Sequence, residues 1–161
     1  MSPSPRDLRG ATHVHVFRKL PLWLYWPIGA LLLWAGLALA SSLMDDPADV
    51  ARADLLRQAP LWVLVVVPLG EALVWTVAFV EVGACFRAPV IGAAIGVAAY
   101  SVLLHASFGI WGIVVSAWIG VIVNGCYVLM RDRSRVAAVA NALALRWSFI
   151  AYAYFSVGGQ A

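Results

Sequence analysis

Between Ala59 and Phe86 the only charged side chains are Glu71 and Glu81. A run of that length crosses the ~30 Å hydrocarbon core of a bilayer as a helix, because a backbone in lipid must satisfy its own hydrogen bonds. Four more runs of this kind cover about Leu20–Leu43, Val90–Ser107, Ile110–Met130 and Val136–Val157. The 161-residue chain is 63% hydrophobic and only 12% charged, with a mean hydropathy of +0.89. A water-soluble domain of this size has no use for so much apolar surface. The sequence predicts an all-α fold, a polytopic membrane helix bundle of about five transmembrane helices, with residues 1–161 forming a single integral membrane domain in a lipid bilayer.

The polar residues between the runs set the expected topology. Basic clusters fall at residues 6–19, at Arg87 and at residues 131–135, which are alternate ends of the five spans. The positive-inside rule then puts the N-terminus in the cytoplasm and the C-terminus outside. Residues 1–17 read as a cytoplasmic tail. Residues 44–58 read as an acidic outer loop, where Asp45, Asp46, Asp49 and Asp54 outnumber Arg52 and Arg57. Ala38-Leu39-Ala40 resembles a signal-peptidase site, but the run before it exceeds a signal h-region, so an uncleaved first span is expected. The net charge of +3 resides in these clusters and gives no reason to expect a nucleic-acid partner. His13 and His15, like Cys85 and Cys126, lack the further ligands a metal centre needs. No metal or other cofactor is expected.

Within the second run, Pro68-Leu69-Gly70-Glu71 places a carboxylate in the membrane. Glu71 lies 11 residues past Pro60, about 16 Å along a helix and near the bilayer middle. An ionised side chain at that depth is unfavourable by at least ~2.5 kcal/mol, so it faces a partner or a wet cavity. Pro68 donates no backbone hydrogen bond and Gly70 loosens the helix, which kinks the Glu71 turn and admits water. One candidate partner is Arg146, about 15 Å into the fifth run. Another is His105, near the outer end of the third. Glu81, close to the end of its run, reads as structural, snorkelling or meeting Arg87. Two small-residue faces predict close helix packing: Gly92, Gly96 and Tyr100, and Gly112, Ser116 and Gly120 ending at Asn124.

These positions resemble the CAAX protease and bacteriocin-processing (CPBP) intramembrane protease family over about residues 60–150. That family carries Glu-Glu-x-x-x-Arg, then Phe-x-x-x-His, then His-x-x-x-Asn or Asp, on successive membrane helices. Pro68, Glu71, Leu73 and Trp75 fit the first motif; Ala72 stands for the second Glu and Thr76 for the Arg. Ser101 to His105 keeps the histidine of the second motif and loses its Phe. Asn141 and Leu145 stand in the third motif where His and Asn belong. The chain is identified as a degenerate member.

The resemblance implies two readings. In one, the chain is an active glutamate-dependent membrane endopeptidase acting on a membrane peptide. Glu71 and His105 are then catalytic, with Glu71 the base, and Asn124 or Asn141 supports the oxyanion. In the other, favoured by the lost motif residues and by Arg146, the chain is a pseudoenzyme. It is then a non-catalytic membrane subunit or scaffold, with Glu71 and Arg146 as a structural ion pair and other membrane protein subunits as partners. A carboxylate bonded to a cation is a poor general base. Either reading places the chain in a bacterial inner (cytoplasmic) membrane.

Overall fold

The computed structural model describes residues 20–43 and 58–156. The expected tail over 1–17 and all but the last residue of the expected acidic loop over 44–58 lie outside them, as do His13 and His15. Among the described residues all regular structure is helical. A 3₁₀ turn at Leu22–Leu24 leads into α1 (Tyr25–Leu43). The second span is built from α2 (Leu61–Glu71), a π-helical segment (Ala72–Ala78) and α3 (Phe79–Cys85). Then come α4 (Pro89–His105), a 3₁₀ turn at Ala106–Phe108, α5 (Gly109–Arg131) and α6 (Arg135–Ser156).

Four helical stretches are long and apolar enough to cross a membrane, and α4 is a shorter apolar helix between them. With 17 residues, α4 rises only about 25 Å. The outside of the bundle is apolar all round, with Trp23, Trp62, Phe86, Leu103 and Val136 among its most exposed side chains. Water would oppose that surface, whereas lipid solvates it. The protein is an integral membrane helix bundle.

The turns follow local chemistry. Gly109 has φ +75°, a backbone region that glycine enters freely and that strains other residues. Pro89 opens α4, where its missing N–H would be unpaired in any case. Ser134 caps α6 by accepting the Ala137 N–H at 3.2 Å, as helix N-caps do.

Helix α5 is the hub, packing against α1, the π segment, α4 and α6. Its buried stripe, Ser116, Ile119, Gly120, Val123, Asn124, Tyr127 and Met130, keeps the helical period. Gly120 faces Val97 of α4; a methyl group there would sit 3.2 Å from the valine side chain. Helix α4 also meets the second span at closer range. Gly92 faces the Phe79 carbonyl and Gly96 the Trp75 carbonyl, and a Cβ on Gly96 would lie 2.5 Å from that oxygen. Small residues are what permit such backbone approach.

The π segment begins directly after Glu71. Pro68 withholds a donor from the preceding turn, and the Ala72 N–H reaches both the Leu69 and Pro68 carbonyls. The π turns begin directly after this shared bond. They leave Ala72, Thr76 and Val80 in one fully buried stripe, and they set Glu71 where the helix changes pitch.

Candidate functional site: a carboxylate held between three helices

Glu71 ends α2, Tyr100 lies in α4 and Arg146 lies in α6. The Arg146 Nη1 donates to Glu71 Oε2 at 3.0 Å. The Tyr100 hydroxyl donates to the same oxygen at 3.4 Å, a long contact. The guanidinium carbon of Arg146 sits 4.2 Å from the centre of the Tyr100 ring, within cation–π range. One cation, one anion and one aromatic ring therefore tie three helices together. The Arg146 side chain is 1% exposed and that of Glu71 is 23% exposed.

The arrangement leaves polar atoms over. Among the described residues, Arg146 Nε and Nη2 are buried without a hydrogen-bond partner, as is Thr76 Oγ1 one turn beyond Glu71. Both bonds to Glu71 arrive at Oε2. Buried donors without acceptors are unfavourable by ~1–3 kcal/mol each, which gives this region strong reason to hold water or a polar group.

His105 is connected to the same tyrosine. Its ring centre lies 4.7 Å from that of Tyr100, and its Nδ1 is 3.4 Å from the Tyr100 carbonyl oxygen. Tyr100 thus touches Glu71 through its hydroxyl and His105 through its ring. The two asparagines lie elsewhere. Asn124 donates through Nδ2 to the Ala93 carbonyl at 3.4 Å, about two turns along α4 from Tyr100. Asn141 precedes Arg146 by five residues, roughly 140° round α6, and is buried.

Glu81 belongs to a second cluster. Arg131 donates through Nε to Glu81 Oε1 at 3.1 Å and through Nη2 to Oε2 at 3.1 Å. The Tyr127 hydroxyl donates to Oε1 at 3.0 Å, and Arg135 Nη2 lies 3.7 Å from Oε2. The sequence offered Arg87 as a partner, or snorkelling; the salt bridges run to Arg131 and Arg135 instead. Arg87 sits in the α3–α4 turn at positive φ and is exposed, whereas the ends of α5 and α6 bring their arginines over Glu81.

Sequence reasoning picked Glu71, Arg146 and His105 but gave Tyr100 no role beyond packing. The available signal was its depth, since Tyr100 and Arg146 each lie 11 residues from the start of their helices at one end of the bundle. Comparison with known proteins adds no relative: no family model matches, no curated protein matches and no solved structure matches.

Proposed function

We propose that this integral membrane protein is a non-catalytic membrane component, a subunit or scaffold descended from CPBP-type proteases. The observation that carries this is the 3.0 Å bond from the fully buried Arg146 to the carboxylate in the position of the base. A carboxylate held by a cation is a poor general base, because a proton must displace that cation's attraction. Here the cation and the tyrosine hydroxyl converge on one oxygen of Glu71, an arrangement suited to holding helices. The absent second glutamate and third-motif histidine support the same reading.

The proposed setting is a bacterial inner membrane with the N-terminus cytoplasmic. That orientation follows from the alternation of basic clusters, with Arg131, Arg133 and Arg135 at the cytoplasmic end. The deciding experiment is proteolysis. Purified protein in liposomes, incubated with a library of membrane-spanning peptides, is expected to leave every peptide intact by mass spectrometry. Cleavage that disappears in Glu71→Gln overturns the proposal.

One observation favours the alternative, an active endopeptidase using Glu71 and His105. Tyr100 contacts both residues, so Glu71 and His105 belong to one connected group of side chains. That reading requires His105→Ala to abolish cleavage while leaving the fold intact.

A further inference from the structure

Glu71 sits on a boundary of its helix. On one side Pro68, Ala72 and Thr76 are buried; on the other Val67, Gly70 and Val74 are exposed. Its side chain is 23% exposed, at a depth where the surrounding solvent is hydrocarbon. Both internal donors use Oε2, which leaves Oε1 without a hydrogen bond among the described residues. A carboxylate oxygen at that depth is unfavourable unless something donates to it. The face beside it is smooth, since a methyl group on Gly70 would meet nothing within 4 Å.

We propose that the Val67, Gly70 and Val74 face is the docking site for a transmembrane helix of another protein, one that carries an uncharged hydrogen-bond donor at mid-membrane. This rests on the subunit reading above and names the surface and the chemistry of the partner. Charge balance selects the donor. Glu71 and Arg146 already cancel, so a lysine or arginine from the partner would leave a net positive charge in hydrocarbon. A glutamine, asparagine or serine side chain completes the carboxylate and adds no charge. Balance also disfavours a second copy of this chain, because a symmetric contact on this face would set two Glu71 carboxylates against each other. Gly70 supplies the close approach that a short polar side chain needs to reach Oε1.

The test uses two leucine-rich transmembrane peptides, identical except for one central glutamine in place of leucine. Association with the full chain, labelled at the exposed Cys85 in a Cys126→Ser background, is read by energy transfer in phosphatidylcholine vesicles. The glutamine peptide is expected to bind roughly threefold to fifteenfold more tightly, the range of single interhelical hydrogen bonds in membranes. Gly70→Leu fills open space without touching the ion pair, so it should block binding and leave thermal stability unchanged. Equal binding of the two peptides, or undiminished binding to Gly70→Leu, overturns the proposal. Energy transfer between two labelled copies that Gly70→Leu abolishes overturns it in favour of self-association. The mass of the bound peptide separates the two claims: a glutamine peptide that binds and is then cut keeps the docking face and removes the non-catalytic reading. One that neither binds preferentially nor is cut removes the docking face alone.

Discussion

The second span carries two glutamates ten residues apart, each held by an arginine and a tyrosine, and Glu81 has Arg135 nearby as well. Glu71 meets an arginine of α6 and a tyrosine hydroxyl; Glu81 meets an arginine of α5 and a tyrosine hydroxyl. The two differ in completeness. Glu81 uses both oxygens in a fork with Arg131, the geometry in which guanidinium and carboxylate bind best. Glu71 uses one oxygen, and two nitrogens of Arg146 have no hydrogen-bond partner among the described residues. They also differ in surroundings, since Glu81 lies at the end of its span, where water and headgroups reach it. The better-made pair is therefore the one the fold needs less, and the incomplete pair is the one that cannot be broken cheaply.

The largest expected effect comes from breaking the deep pair. Glu71→Gln strands Arg146 in the bundle interior, and removing one member of a buried pair typically destabilises by ~3–5 kcal/mol. Adding Arg146→Gln should recover much of that loss, because neither charge is then left alone. Glu81→Gln should lower stability by only about 1 kcal/mol, as expected of a water-accessible pair. Thermal unfolding in detergent measures all four variants. If Glu71→Gln and Arg146→Gln were additive and each near neutral, the deep unit would not be a structural tie, and the catalytic reading would take its place.

A smaller effect sharpens why both units sit on one span. Gly92 and Gly96 hold α4 against the second span, facing the backbone at Phe79 and Trp75. Their spacing brings Tyr100, four residues after Gly96, over Glu71. Gly96→Ala must push α4 away from the Trp75 carbonyl, and such overpacking typically destabilises by ~1–3 kcal/mol. The same change at Gly125, where a methyl group meets nothing within 4 Å, should be neutral or slightly stabilising. Equal melting points for the two variants would mean that α4 is not clamped here.

These two units also show what the sequence made legible. The five helices followed from length and hydropathy, and the ends of the last two helices were placed to within a residue or so, because lipid permits little else. That Glu71 and Arg146 share a level followed from counting residues along helices, and their contact bears it out. Counting does not give rotation about the helix axis, so Tyr100 was visible as a small-face neighbour and not as the group between Glu71 and His105. The π segment was legible only as a weakness, from Pro68 and Gly70. Which turn widens depends on how Ala72 and Thr76 pack. For Glu81 the sequence offered snorkelling or the nearest cation, Arg87, although helix ends far apart in sequence meet at the same membrane level.

The smallest expected effect separates the tyrosines of the two units. Tyr100→Phe removes a hydroxyl that lies 3.4 Å from Glu71 and keeps the ring that faces the Arg146 guanidinium at 4.2 Å. The long hydrogen bond contributes little, and most of the contact with the cation comes from the ring face, which phenylalanine retains. The loss should stay below about 1 kcal/mol. Tyr100→Leu removes the ring as well and should add roughly 2 kcal/mol or more, from the desolvated cation–π contact and the lost packing of a buried ring. At the other unit, Tyr127→Phe loses a shorter bond of 3.0 Å. Glu81 still keeps both Arg131 contacts there, so this change should also be small. Melting curves of the three variants decide the matter. A Tyr100→Phe loss as large as that of Glu71→Gln would make the hydroxyl, rather than the guanidinium, the group that holds Glu71. The tie between α2 and α6 would then run through α4.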